Sequence, residues 1–295
     1  MLMTVIKTMR PPFLILSPVC VFLGYSMALK GGANSQTGLL LLVMSAALCA
    51  HISVNMLNEY SDFKTGLDFN THQTPFSGGS GALPAEATSA PVVLALGLFF
   101  LAVSVVIGLY LMSFTGQALL PLGLLGVVLV LSYTPWLNRW PLICLLAPGL
   151  GFGAVMTVGT YVILTGVLAW QIWVVAAVVF CLINNLLLLN QVPDINADRQ
   201  AGRCTFPIAY GLVASHVVYV LFAMLAVVLL MMMVFIEALP RTSMWALVPM
   251  LGAIVAVKGA VQWQHSIGQR PALLAANVVA AVLTPLVLAL TLLLD

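Results

Sequence analysis

The chain has 295 residues, of which 62% are hydrophobic and only 6% are Asp, Glu, Lys or Arg, with a formal net charge of +2. Soluble domains carry about 25% charged residues, so no soluble fold of this size could cover its surface with so few. Composition excludes a soluble protein and leaves an integral membrane one, and the small net charge gives no reason to expect a nucleic-acid partner.

A membrane-crossing helix needs about 20 apolar residues. Residues 11–29 and 31–58 each fit one. Residues 87–138 and 140–193 are each long enough for two, with breaks near Ser113–Gln117 and Thr165-Gly166. Residues 204–236, 242–262 and 271–294 each fit one more. The expectation is a bundle of nine helices in one domain spanning residues 1–295, all-α because the runs are solidly apolar and not alternating as in a barrel. The start could pass for a secretion signal, but its apolar run is long and later helices pair with it, so it is expected to remain as the first helix. The five cysteines form no CxxC and suggest neither a disulfide framework nor a zinc site.

With nine crossings, Lys7, Arg10, Lys64, Arg139, Arg199, Arg203, Lys258 and Arg270 fall on one side, and Lys30 and Arg241 on the other. This excess marks the first side as cytoplasmic, with the amino terminus there and Asp295 outside. A bacterial inner membrane is the expected location. Oligomeric state is not legible.

The chain has eight acids, and five lie in NEYSDFKTGLD (58–68) and NQVPDINADRQAGR (190–203). Both segments follow a helix pattern, begin Asn-x-x-x-Asp and fall on the cytoplasmic side. Helical residues four apart share a face, so Asn58 stacks on Asp62, and Asn190, Asp194 and Asp198 stack likewise. Asn55 and His51 extend the first stripe inward. Ionisable groups at membrane depth are costly and usually functional. Clustered carboxylates repel one another, and hard divalent cations such as Mg²⁺ relieve this with oxygen ligands. Two facing segments would suit one Mg²⁺ each, bridged by a diphosphate, with Lys64, Arg139, Arg199 and Arg203 to balance it. Solvated loop residues, or an ion path in a cation transporter, are the competing readings of the same acids.

The pair of segments resembles the two aspartate-rich motifs of the UbiA superfamily of intramembrane prenyltransferases. Arg10-Pro11 before the first helix, Tyr133-Thr134-Pro135 with Arg139, and PFSGGSGALP (75–84) are similar to its other signatures. GTYVILTG (159–166) resembles the branch that prenylates 1,4-dihydroxy-2-naphthoate for menaquinone. The chain departs from that branch at Asn190-Gln191, where Asn-Asn is frequent, and at Gly149-Leu150-Gly151-Phe152, where the last residue is often Glu.

The resemblance implies Mg²⁺-dependent transfer of a polyprenyl group from its diphosphate to an aromatic acceptor at a cytoplasm-facing cavity. The acceptor would be 1,4-dihydroxy-2-naphthoate, with 4-hydroxybenzoate, homogentisate or a non-aromatic nucleophile as alternatives. Asp62, Asp68, Asp194 and Asp198 would hold the Mg²⁺–diphosphate, with Asn58 and Asn190 as neutral ligands. Arg10, Lys64, Arg139, Arg199 and Arg203 would contact the diphosphate. His51, Asn55 and Tyr133 would face the acceptor, His51 being equally suited to bonding another helix. Glu59 is expected to be exposed, Ser77–Gly81 to form a lid, and Pro193 to kink the helix carrying the second motif.

Overall fold

The computed structural model describes residues 1–71 and 73–294, so the expected outward placement of Asp295 lies outside it. All regular structure among the described residues is helical. Helix α1 (Leu2–Thr8) is followed by Arg10 in the left-handed region (φ 53°) and a tight turn at Pro11–Phe13. Helix α2 (Leu16–Lys30) starts later than expected because Pro11 and Pro12 hold that turn first. Helix α3 (Thr37–Thr65) runs unbroken through His51, Asn55, Asn58 and Asp62. It stops at Gly66, whose φ of 78° supplies the left-handed cap.

Beyond the single turn α4 (Ala82–Ala85) come α5 (Ala90–Thr115) and α6 (Leu120–Ser132), which pack on one another and are joined through Gly116 at φ 62°, ψ −150°. Helix α7 (Pro141–Gly149) passes through a π-helical stretch, Leu150–Val158, into α8 (Gly159–Thr165). Helix α9 (Trp170–Asn190), the short α10 (Ile195–Gln200), α11 (Phe206–Phe235), α12 (Leu247–Trp263) and α13 (Pro271–Leu294) complete the chain.

By length and composition, seven described segments can cross a membrane, and the bent pair Leu2–Phe13 and Leu16–Lys30, 45° apart, makes an eighth. The expected count of nine differs at one place. Ala87–Ser132 is a single apolar segment of 46 residues, turned at Gly116 within the break expected at Ser113–Gln117. Burial is inverted relative to a soluble protein. Large apolar side chains such as Val106, Leu109, Val213, Leu221 and Phe235 are exposed around the outside. Trp136, Trp140, Trp170, Trp173 and Trp245 are exposed at segment ends, where an aromatic belt forms. In Trp170–Asn190, 72% of the apolar window is buried, against 17% in Ala87–Ser132, so α9 is the axis of the bundle.

Polar side chains fasten this axis. Asn185 Nδ2 donates to the Tyr219 carbonyl (2.9 Å), Tyr219 donates to Asn277 Oδ1 (2.7 Å), and Asn277 Nδ2 donates to the Asn185 carbonyl (3.1 Å). Such bonds tie α9 to α11 and α13 where lipid offers no hydrophobic drive for association. The π stretch has a local cause. Pro148 lacks an N–H, Gly149, Gly151 and Gly153 weaken the helix, and Asn184 Oδ1 accepts the Gly149 N–H at 2.7 Å. A Cβ at Gly153 would stand 2.7 Å from the Ala176 carbonyl oxygen, so the widened turn lies directly on α9.

The ends of α3, α6 and α9 meet on one side of the bundle. Asn58 Nδ2 donates to Thr134 Oγ1 (3.2 Å), and Cys204 N donates to the Asn138 carbonyl (2.9 Å).

Candidate active site

Where those ends meet, a cavity of ≈ 290 Å³ opens. Its polar mouth carries Arg10, Asn58, Asp62, Asp68, Asn190, Asp194, Asp198 and Arg203. Its deeper wall is apolar and is built by Val54 of α3, Leu129 and Val130 of α6, Phe152, Val155 and Met156 of the π stretch, and Ile183 and Leu187 of α9. The widened helix therefore faces the cavity, as π-bulges commonly do at functional sites.

The two acidic segments are joined by one residue. Arg203 Nη1 donates to Asp198 Oδ1 at 3.0 Å, and Nη2 is bonded to Asp62 Oδ1. Among the described residues, Asp68 and Asp194 have no such cation: Asp68 Oδ2 is buried without a partner, and Asp194 Oδ2 accepts the Gly78 N–H at 2.9 Å. Burial pushes both carboxyls up to about 7, and the neighbouring acids Glu59 and Asp62 (for Asp68) and Asp198 (for Asp194) push the same way. Burial also raises Asp198, against the pull of Arg203.

Asp194 does not sit on the helix expected for it. Helix α9 ends at Asn190, three residues before Pro193 and not in a kink around it, because the residue before a proline is disfavoured in helical geometry. Asn190 is the last residue of α9, Asp194 lies in the turn, and Asp198 is on α10. All three still reach the cavity.

Glu59 corrects a second expectation, because it is 0% exposed. Its carboxylate accepts Arg10 Nε (2.7 Å), Ser80 N (2.9 Å) and Ser80 Oγ (2.5 Å). Three residues before Asp62, it shares that face of α3, a spacing from which its burial was readable. The loop thus bonds the first motif through Ser80 and the second through Gly78, and positive φ at Gly78 and Gly79 (82° and 70°) lets its backbone lie against Asp68 and Arg10.

His51 bonds Ser17 of α2 (2.8 Å) and meets Phe152 edge-on, with centroids 5.0 Å apart. Asn55 Nδ2 donates to the Met9 carbonyl at 2.9 Å. Both still line the cavity, as does Tyr133. Lys64 does not: it is exposed and lies over the Tyr60 ring at 5.7 Å. Arg199 is exposed and borders no part of the cavity. Arg139 is exposed and borders a small pocket of ≈ 50 Å³ behind Asp62 and Arg203. Lys64 is in the last turn of α3, Arg199 in the last turn of α10 and Arg139 in the turn after α6, from which long cationic side chains extend to water.

The mouth fits a hard divalent cation in donor chemistry. Asp68 Oδ2 and Asn190 Oδ1 are buried oxygens without partners, and Asp194 is nearly so. Among the described residues no three Asp, Glu, His or Cys side chains gather closely enough to hold an ion by themselves. Mg²⁺ commonly takes one or two carboxylates and completes its shell with substrate phosphate and water.

A sequence model of the UbiA prenyltransferase family matches residues 17–278. The 1,4-dihydroxy-2-naphthoate octaprenyltransferase of Bacillus subtilis is 27% identical over 211 residues, 68% of this chain and 64% of that protein. The apo structure of a UbiA homolog from Aeropyrum pernix K1 superposes with a TM-score of 0.73 at 18% identity, covering 96% of this chain and 98% of that one. A UbiA homolog from Archaeoglobus fulgidus bound to DMAPP and Mg²⁺ gives 0.67 at 15% identity, over 99% and 100%. At these identities the two structures establish likeness of fold.

Proposed function

The chain belongs to the UbiA prenyltransferase family, and from that premise we propose that it transfers a prenyl group from its diphosphate to an aromatic acceptor, 1,4-dihydroxy-2-naphthoate. One observation carries this reading: four aspartates and two arginines converge at the mouth of a cavity whose depth is apolar. The Aeropyrum and Archaeoglobus folds, the ligands of the latter and the activity named for the Bacillus subtilis protein support it.

Asp68, Asp194, Asn58 and Asn190 would hold Mg²⁺, which would supply positive charge against the charge building on the leaving diphosphate. Arg10 and Arg203 donate to the diphosphate oxygens, the forked guanidinium matching phosphate geometry. As the allylic C–O bond breaks, its electron pair leaves with the diphosphate, and donors already aimed there stabilise the growing charge. The apolar wall of Val54, Leu129, Phe152, Val155 and Met156 excludes water from the allylic cation. A ring carbon of the acceptor then forms the new C–C bond, and the ring loses a proton. Glu59 fixes Arg10 and the loop, so both stand ready before substrate arrives.

Residues 1–295 form one such domain. We read the segment Ala87–Ser132 as two crossings, because 46 residues span about twice a bilayer core; with the other seven this makes nine. The cavity mouth shares its end of the bundle with Arg10, Arg139, Arg199 and Arg203, and the excess of basic residues there supports reading it as the cytoplasmic side of a bacterial inner-membrane protein.

The test uses membranes carrying the protein, a radiolabelled prenyl diphosphate, Mg²⁺ and 1,4-dihydroxy-2-naphthoate. Lipid-soluble labelled product is expected, lost with chelator and in Asp62→Ala and Asp194→Ala. Ion flux across vesicles without any labelled product would replace the transferase with a transporter.

A further inference from the structure

Gln191 directly follows the last residue of α9 and lies against Cys144 of α7. It is 9% exposed, yet it lines the cavity, with Tyr133 and Cys144 among the other uncharged polar groups there. Its Nε2 donates to Cys144 Sγ at 3.5 Å, and the same sulfur meets the Tyr133 hydroxyl. That contact fixes the amide by its nitrogen. The oxygen, Oε1, is buried and has no partner.

A buried amide oxygen left unpaired costs free energy that a ligand can recover by donating a hydrogen bond. The mouth holds two other unpartnered oxygens, Asp68 Oδ2 and Asn190 Oδ1. The Asp68 carboxylate attracts a cation, and Asn190 belongs to the second motif with Asp194 and Asp198. Gln191 differs from both. It is neutral, it is held by a thiol, and it adjoins the apolar wall at Ala147, Pro148 and Leu187. That setting suits a flat apolar molecule carrying an O–H, next to the position of the diphosphate.

Building on the transferase reading above, we propose that Gln191 Oε1 receives a phenolic O–H of the acceptor. The subsite thereby selects a phenol or hydroquinone over an aromatic ring without a free hydroxyl. Tyr133 and Gln191, joined through Cys144, form its polar edge. Gln191 acts on substrate choice and leaves the diphosphate site untouched.

The experiment uses the protein in lipid nanodiscs with Mg²⁺ and geranyl thiodiphosphate, a donor analogue that resists transfer. The probes are 1,4-dihydroxy-2-naphthoate and its dimethyl ether, titrated by calorimetry. The wild type is expected to bind the diol about tenfold or more tightly than the ether. In Gln191→Met the two should bind alike, with the whole change in the diol, while thiodiphosphate affinity stays within about twofold and reports an intact fold. Gln191→Glu keeps an oxygen at the same reach and should retain the preference for the diol. An unchanged preference in Gln191→Met, an equal loss for both probes, or a wild type that favours the ether would overturn the proposal. If the wild type binds the thiodiphosphate but neither naphthalene, the acceptor subsite falls and the diphosphate site stands. If the thiodiphosphate also fails to bind, the transferase reading falls with it.

Discussion

The two acidic segments begin with the same Asn-x-x-x-Asp spacing and are built differently. The first lies on the unbroken α3 and continues into a turn that brings in Asp68; the second crosses a helix end, a proline turn and the start of α10. Each nevertheless contributes one aspartate bound to Arg203, Asp62 or Asp198, and one that pairs with no cation among the described residues, Asp68 or Asp194. The lesson is that pairing, and not helical register, sorts the carboxylates. One pair shares the Arg203 cation, which offsets one of its two charges; among the described residues the other pair has no such cation, which leaves it open to one that binds.

The sharpest break of this comparison is at the unpaired pair. Asp194→Ala and Asp68→Ala should each lower prenyl transfer by about 10³-fold or more, since each removes a carboxylate that would hold the Mg²⁺ offsetting charge on the leaving group; initial rates with labelled prenyl diphosphate check this. Next comes Arg203→Ala, which leaves Asp62 and Asp198 buried without their cation. Removing one partner of a buried ion pair costs about 3–5 kcal/mol, so a large drop in the thermal midpoint in detergent is expected, with Arg203→Lys falling between. Glu59→Gln keeps the shape but loses the charge opposite Arg10. Its activity should fall about tenfold, mostly as a rise in KM for the diphosphate, as charged hydrogen bonds of about 1.5–3 kcal/mol imply.

The pH response separates the pairs more gently. Asp68 and Asp194 titrate near 7 in the folded protein and near 4 when unfolded. Between those values the folded state holds more protons, so their contribution to stability is full below about 4 and is lost as pH rises through about 7. In chelator, thermal midpoints should therefore decline between pH 5 and 8, and Asp68→Asn with Asp194→Asn should flatten that decline. The smallest effects belong to Lys64→Ala and Arg199→Ala, exposed and away from the cavity. Less than about threefold loss of activity is expected, and a larger loss would bring those cations back to the site.

Much of this was legible in the chain because so few residues are charged. The apolar runs gave the helices, and the clustering of five acids gave the mouth of the cavity. The matching Asn-x-x-x-Asp spacings pointed to Asp62 and Asp194 without any knowledge of packing. What could not be read depends on contacts between distant segments. The spacing of Glu59 to Asp62 shows its face of α3, but its partners Arg10 and Ser80 come from distant segments. Lys64, Arg139 and Arg199 were indistinguishable from Arg203 in sequence, and only the turn at Gly202 and the bond from Arg203 N to the Asp198 carbonyl (2.9 Å) direct one of them inward. The π stretch is foreshadowed by Pro148 and three glycines, yet those residues equally suit a plain kink.

Arg203 ties together positions 141 residues apart. During synthesis, α3 enters the bilayer carrying Asp62 long before the segment that neutralises it has left the ribosome. Until then that carboxylate must stay protonated, hydrated at the membrane surface or sheltered by the insertion machinery, since the lipid interior offers it nothing. Closure of the bundle is therefore gated by arrival of the turn after α10. Chains truncated before that turn should be recognised by membrane quality control, whereas chains that include it can finish assembly with no metal ion present.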